Sequence, residues 1–300
     1  MTNTMEIKKM KTGKTTTHST LSKIVVYSLL ILYLCWVLVP FAVIFVTSLT
    51  PSVELVKSMS FIWWPETPTV DAYKLIFKDY FGFNSNYLSL MKGFVNTLML
   101  TIPTMLVNLF VSGLSAFAFA KLEFPFRDKL FIGIVAIMMI PTAVMTLPSF
   151  LYYDALGWSA TALPIIIPGM FGSVGMVFFL RQFIALIPNS IIEAARIDGS
   201  NVLSIYLKII IPLSIPAFVT QIIFSFVSGY NAYQGPLLYL TARPDLQPLQ
   251  LVLSQLQAFF GDNKAVVCAS CLIAMMPLIL IYIASQKYFM ENLSASGLKD

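Results

Sequence analysis

Six long stretches of this 300-residue sequence contain no charged side chain. They are residues 24–53, 93–120, 130–153, 155–180, 209–242 and 265–286. A helix needs about 20 apolar residues to cross the hydrocarbon core of a bilayer, and every stretch is long enough. In lipid the backbone must satisfy its own hydrogen bonds, and these stretches lack the two-residue alternation of barrel strands. The sequence therefore predicts an all-α membrane protein with six transmembrane helices.

The composition excludes most enzyme chemistry. Hydrophobic residues make up 58% of the chain and charged residues 11%, which is unlike a water-soluble domain. The single histidine, His18, lies in a polar tail, and Cys35, Cys268 and Cys271 all lie within apolar stretches. Cys268 and Cys271 have the spacing of a metal or redox pair, but no further ligand accompanies them. We therefore predict no catalytic residue, no metal site and no cofactor in this chain.

The distribution of basic residues predicts the orientation. Thirteen of the 19 Lys and Arg residues lie in residues 1–23, in the links 121–129 and 181–208, and after residue 286. The other six lie in the alternate set of loops. By the positive-inside rule both termini are cytoplasmic. The predicted organisation is a basic tail at 1–23, a transmembrane domain at 24–286 and a C-terminal tail at 287–300.

The cytoplasmic link at 181–208 contains the pattern of a short capped helix. Ser190 is followed three residues later by Glu193, as in a capping box, in which serine and glutamate satisfy the first N–H groups of a helix. Gly199 then supplies a left-handed stop. The sequence predicts a helix of about two turns that lies outside the membrane and is suited to docking in a groove.

The same link resembles a known family motif. Glu193-Ala194-Ala195, Asp198-Gly199 and then Ile211-Pro212-Leu213 are similar to the EAA loop of binding-protein-dependent ABC importer permeases. Further matches to the carbohydrate-uptake class, the maltose-permease G type, are Asn96-Thr97, residues 116–121, residues 179–183 and residues 286–289. The sequence departs from the family pattern at Ile211, at Tyr230-Asn231 in place of Trp-Asn, and at Asn292.

The resemblance implies a pore subunit with several partners. These are a second permease forming a heterodimer, two cytoplasmic ATPases that bind ATP and magnesium, and an extracytoplasmic solute-binding protein. It also implies a bacterial cytoplasmic membrane location, in contact with the lipid bilayer and with no nucleic acid. The short helix would contact the ATPase. By the resemblance and the local pattern, the contact residues are Ser190, Glu193, Ala194, Ala195, Arg196, Asp198 and Gly199.

Polar side chains inside the predicted spans are candidates for a sugar path, because hydroxyl, amide and aromatic groups suit carbohydrate. The candidates include Asn108, Thr142 and Ser228, and the residues selected from the full set are Asn96, Gln221, Ser225, Tyr230 and Asn231. Hydrogen bonds between helices explain the same residues equally well.

The alternative function is a stand-alone secondary carrier or facilitator. No acidic or basic side chain lies at the centre of any predicted span, and such groups usually couple transport to protons or ions. The uncharged amphipathic segment at 246–260 is expected to contact the binding protein or the pore mouth, or else to lie in the lipid interface.

The charge distribution generates a topology prediction. In a variant without Cys35, Cys268 and Cys271, single cysteines at Asp128 and Ser200 should resist a membrane-impermeant thiol reagent in intact cells. Cysteines at Gly157 and Asp245 should react, because these positions lie in the loops with fewer basic residues, which the positive-inside rule places outside the cell. Reaction at Ser200 from outside would contradict the cytoplasmic assignment of the 181–208 link.

Overall fold

The computed structural model describes residues 20–58, 62–82 and 88–297, with side chains described for residues 22–58, 62–82 and 88–286. Within these residues every regular element is a helix. This confirms the predicted all-α class. Most of the predicted basic tail, up to residue 19 and including His18, and the last three residues lie outside the described part of the chain.

Fifteen α-helices follow one another along the described residues. They are α1 Thr20–Ser48, α2 Ser52–Lys57, α3 Asp71–Leu75, α4 Leu90–Lys121, α5 Arg127–Ile137, α6 Thr142–Ala155, α7 Leu163–Met170, α8 Val174–Ala185, α9 Asn189–Ile197, α10 Val202–Ile205, α11 Ile211–Leu213, α12 Ile215–Tyr230, α13 Gln234–Leu240, α14 Leu249–Phe259 and α15 Lys264–Gly297. Two π-helical turns, Ile76–Tyr80 and Tyr206–Ile210, join α3 to the following loop and α10 to α11.

The predicted spans correspond to helices of two kinds. Four stretches of the described chain are long and apolar enough to span alone: Ser22–Ser48, Leu90–Lys121, Leu163–Ala185 and Lys264–Gln286. Two bent helix pairs meet the same criterion together, α5 with α6 at 91° and α10–α11 with α12 at 84°. The third and fifth apolar stretches are therefore bent pairs rather than single helices, the fourth is interrupted between α7 and α8, and six spans result when each bent pair counts as one.

Proline accounts for both breaks. Pro141 is extended, with φ −62° and ψ 128°, and precedes α6 as its N-cap residue. Pro216 lies in the first turn of α12, directly after the Ser214 break. Because proline lacks an N–H and fits the first turn of a helix, it permits a new helix to begin in a new direction.

Helix α4 lies at the centre of the molecule and packs against α7, α8, α12 and α14. Around the half of α4 nearest α9, a core forms from residues that include Phe117, Leu180 and Tyr206, all fully buried. Around the other half, Leu256, Ala269 and Tyr230 belong to a second core. Helix α1 packs against α15 and exposes most of its apolar side chains, as expected for a surface that faces lipid.

Close approach of α4 to the fifth span depends on Gly113. A Cβ atom built at Gly113 would lie 2.4 Å from the Tyr206 hydroxyl and 2.8 Å from the Phe218 ring. Tyr206 cannot easily move, because it is fully buried and its hydroxyl donates to the carbonyl of Phe110 at 3.1 Å. The absence of a side chain therefore sets the distance between these helices.

We expect Gly113→Ala to lower the stability of the folded chain by about 1–3 kcal/mol through overpacking. The matched control is Gly133→Ala, since a Cβ there meets no atom within 4 Å. Thermal unfolding of the purified protein, followed by fluorescence, measures the difference. Equal unfolding temperatures in the two variants would contradict this account of the helix contact.

Candidate functional site

The short helix α9 lies between the fourth and fifth spans and ends as the sequence predicts. Gly199 has φ +82°. The N–H of Gly199 donates to Arg196 O at 3.0 Å, and the N–H of Ser200 donates to Ala195 O at 2.9 Å. These two bonds form a Schellman motif, which requires a residue that tolerates left-handed backbone. Glycine meets that requirement without strain.

The predicted capping box at the start of α9 is wrong. The helix begins at Asn189, one residue before Ser190, and its N-cap residue is Pro188, which provides no side-chain cap. Asn189, a residue type that often caps helices, is engaged elsewhere: its Oδ1 accepts a hydrogen bond from Lys121. Ser190 and Glu193 are both exposed on the helix surface.

Helix α9 has one buried face and one exposed face. Ile192 and Ala195 are buried against the core that surrounds Phe117. Of the predicted contact residues, Ala195 thus packs inward, whereas the rest are exposed: Ser190, Glu193, Ala194, Arg196, Asp198 and Gly199. Ile197 is 86% exposed on the outward side. Ile197 therefore adds apolar surface to the charged, outward side of α9.

Lys121, the last residue of α4, connects this helix to α9. Its ammonium group donates to Ala185 O at 3.0 Å, to Ile187 O at 2.5 Å and to Asn189 Oδ1 at 2.9 Å. Carbonyls at the end of a helix lack partners within that helix, and a cation there is favourable. One side chain therefore joins the end of α4, the end of α8 and the first residue of α9.

A cavity of about 350 Å³ lies between α4, α7 and α12, toward the opposite end of α4. Its polar lining residues are Thr97, Thr101, Thr104, Asn108, Ser173, Gln221, Ser225 and Ser228. No charged residue lines it. The volume and mixed polar and apolar lining are those of a small-molecule site.

The α4 side of the cavity supports the break between α7 and α8. Asn108 Nδ2 donates to Gly169 O, and Ser112 Oγ donates to Asn108 Oδ1 at 3.1 Å. The N–H of Ser173 in turn donates to Ser112 Oγ at 2.9 Å. These bonds pair polar backbone groups that the interruption of the helix leaves free, as irregular backbone within a membrane requires.

Two of the five predicted path residues, Gln221 and Ser225, line the cavity. The other three do not line it. Tyr230 is buried and its hydroxyl donates to Ala274 O at 2.8 Å, so it belongs to the core. Asn96 Nδ2 donates to Asp245 O and Gln247 O, which fixes the loop before α14.

Asn231 ends α12 outside the cavity. Its Nδ2 donates to Val227 O at 3.0 Å, and its Oδ1 accepts from Gln250 Nε2 at 3.1 Å. It therefore links α12 to α14. Like Asn96 and Tyr230, it makes the hydrogen bonds between segments that the sequence left open as an alternative.

The loop before α14 is also held by an ion pair. Arg243 donates to both oxygens of Asp245, at 3.0 and 2.8 Å. This hydrogen bonding from Arg243 lowers the pKa of the Asp245 carboxyl. Pro248, at the end of the same loop, lines the cavity, so the pair and Asn96 together position one edge of it.

Sequence reasoning found Asn108 but missed the three threonines of the α4 lining, Thr97, Thr101 and Thr104, and the role of Lys121. Thr97, Thr101, Thr104 and Asn108 recur at spacings of three and four residues, which puts them on one face of a helix. A row of polar side chains on one face of an apolar span is the sequence pattern that could have predicted this wall of the cavity. Lys121 carried no such signal, because its partners are backbone carbonyls far away in the sequence.

Comparison with known proteins agrees with this architecture. The model of the family "Binding-protein-dependent transport system inner membrane component" matches residues 108–294. The AraQ permease protein of the arabinooligosaccharides transport system of Bacillus subtilis is 30% identical over 263 residues, covering 87% of this chain and 90% of that protein. The MelC melibiose/raffinose/stachyose import permease protein of the same organism is 32% identical over 216 residues, covering 70% and 77%.

A solved structure has the same fold. It is a bacterial ABC transporter involved in the import of the acidic polysaccharide alginate. One of its chains superposes with a TM-score of 0.77 at 25% identity, covering 93% of this chain and all of that one.

The contacts of Lys121 generate a prediction. We expect Lys121→Met to loosen α9, because charge-assisted hydrogen bonds contribute about 1.5–3 kcal/mol each and partial exposure reduces their sum. Hydrogen exchange of the amides in residues 189–199 should accelerate by at least about tenfold, which corresponds to about 1.4 kcal/mol. The control is Lys129→Met, a lysine exposed on α5. Unchanged exchange in Lys121→Met would show that α9 is held by its buried face alone.

Proposed function

The chain belongs to the family of inner membrane components of binding-protein-dependent transport systems, and from that premise we propose how it works as the permease subunit of a carbohydrate importer. The permease is a membrane component rather than an enzyme. In our proposal it forms one part of the pathway for an oligosaccharide, moved from an extracytoplasmic binding protein to the cytoplasm by alternating access. The two carbohydrate permeases that resemble it support the substrate class.

A single observation carries the proposed mechanism: α4 extends without interruption from the cavity to α9. Thr97, Thr101, Thr104 and Asn108 line the cavity, and Lys121 at the end of the same helix bonds to Asn189. Asn108 and Lys121 are separated by about 20 Å along the helix axis at 1.5 Å per residue. Movement of α9 would therefore be transmitted to the cavity wall along one continuous helix.

The exposed face of α9 is our proposed contact with a cytoplasmic ATPase. Glu193, Ala194, Arg196 and Asp198 would meet the ATPase beside the exposed Ile197, while Ile192 and Ala195 keep the helix attached to the permease. ATP and magnesium bind to the ATPases in this proposal, and the permease itself holds no cofactor. Closure of two ATPases would move α9 and, through Lys121, α4.

The remaining partners and the orientation are part of the same proposal. A second, different permease completes the pathway, and the complex lies in the bacterial cytoplasmic membrane with both termini in the cytoplasm. The basic residues of the 121–129 and 181–208 links support this orientation. The domains remain those proposed from sequence, with tails at 1–23 and 287–300 around the transmembrane domain at 24–286.

Co-purification separates this function from that of a stand-alone carrier. The chain should be isolated with an ATPase, and its transport of oligosaccharide in vesicles should require ATP. Transport by the purified chain alone, driven by a substrate or ion gradient, would support the carrier instead.

The proposed contact generates a prediction for reconstituted complex. Glu193→Ala removes an exposed carboxylate from the docking face, and Gly199→Val places a β-branched side chain at φ +82°. A non-glycine residue there costs about 1–2 kcal/mol and distorts the end of α9. Both variants should insert normally but lose the stimulation of ATP turnover by loaded binding protein, and Gly199→Val should also bind ATPase less well.

Two matched variants control for unrelated effects. Gly199→Asn should retain most stimulation, because asparagine tolerates left-handed backbone. Glu123→Ala removes another exposed carboxylate from a predicted cytoplasmic link and should leave stimulation intact. Full stimulation in both Glu193→Ala and Gly199→Val would mean that α9 takes no part in coupling.

A further inference from the structure

Three polar side chains on α12 face the cavity without a hydrogen-bond partner in the described part of the chain. They are Gln221, Ser225 and Ser228, which recur at spacings of four and three residues on one face of the helix. Thr220, on the same helix, has its partner within the chain: its Oγ1 donates to Pro216 O at 2.8 Å. A hydroxyl or amide left unpaired at membrane depth is costly, so this stripe requires a partner from outside the chain, such as water or a ligand.

The wall opposite α12 is also polar and incompletely paired. Thr101 and Thr104 line the cavity from α4, and the Thr104 hydroxyl is buried with no partner among the described residues. Each threonine methyl occupies space that a glycine on a neighbouring helix leaves open. A Cβ on Gly229 would come within 2.4 Å of the Thr101 methyl, and one on Gly169 within 2.5 Å of the Thr104 methyl. Hydroxyl and amide groups therefore meet the cavity from two sides.

The cavity offers no charged side chain that could balance the charge of a ligand. None of the residues that line the cavity is Asp, Glu, Lys, Arg or His. A carboxylate moved from water into such a site would lose its hydration and gain no cation, at a cost of several kcal/mol. Phe224 and the aliphatic lining residues offer instead the apolar contact that suits the C–H faces of a sugar ring.

From this combination we propose that the cavity is a subsite for one uncharged glycosyl unit, held by Gln221, Ser225 and Ser228, and that it excludes uronic acid units. The proposal rests on the proposed function and names the substrate class within it. The volume of about 350 Å³ lies at the small end of ligand sites, in agreement with a single unit rather than a whole chain. The related structure, by contrast, belongs to an importer of an acidic polysaccharide.

The test uses the assembled permease–ATPase complex without its binding protein, so that the selectivity of that protein does not enter. Saturation-transfer NMR detects weak binding of neutral trisaccharides, namely arabinotriose, raffinose and maltotriose, and of trigalacturonate as the acidic probe of equal length. At least one neutral sugar should bind, and trigalacturonate should not. The double variant Gln221→Leu/Ser225→Ala should weaken neutral binding by at least about tenfold, as expected for the loss of about 1.4 kcal/mol of hydrogen bonding.

The control is Thr220→Ala on the same helix, whose hydroxyl bonds within α12 and which should bind as the parent does. Equal binding of trigalacturonate to the parent complex would overturn the proposal. So would the absence of all sugar binding in a complex whose ATP turnover still responds to loaded binding protein, a result that leaves the proposed function intact. A complex that neither assembles with ATPase nor responds to binding protein would overturn both.

Discussion

Helix α4 pairs polar groups of its neighbours at three depths, and the rest of the structure is arranged around these bonds. At one end Thr97 Oγ1 accepts from the N–H of Leu249 at 2.9 Å. In the middle Asn108 and Ser112 bond the break between α7 and α8. At the other end Lys121 donates to the carbonyls of Ala185, the last residue of α8, and of Ile187. Broken helices survive within a membrane only when a neighbour satisfies the freed backbone groups, and here α4 does so.

The sequence predicted the elements that depend on local chemistry. The apolar stretches mark the spans because backbone groups in lipid must be hydrogen-bonded within the protein, and Gly199 marks the end of α9 because its backbone is left-handed. The start of α9 was misplaced since a residue distant in sequence decides it: Asn189 bonds to Lys121. The five predicted path residues also differ in whether they have a hydrogen-bond partner distant in the sequence. Asn96, Tyr230 and Asn231 have partners far along the chain, whereas Gln221 and Ser225 have none in the described residues.

The polar side chains on the helices fall into two groups: those that form hydrogen bonds within the described part of the protein and those that do not. Side chains that join helices, such as Asn108 and Lys121, have their hydrogen bonds used within the protein. Those on the cavity face of α12 have no partner in the described residues, and in our proposal they bind the ligand. Since α4 carries Asn108 and Lys121 and forms one wall of the cavity, a change in the position of α9 would, in the proposed mechanism, alter the shape of the cavity.

In the proposed mechanism, α4 and α9 move as one body during the transport cycle. Spin labels at Glu123, just after α4, and at Ser200, just after α9, report the distance between them in the reconstituted complex. A second pair of labels on the ATPase subunits establishes that the ATP-bound state has formed. If α4 and α9 move together, the distance between positions 123 and 200 is the same in the nucleotide-free and ATP-bound states. A distance that differs between the two states would mean that α9 moves independently of α4 and would contradict the proposed mechanism.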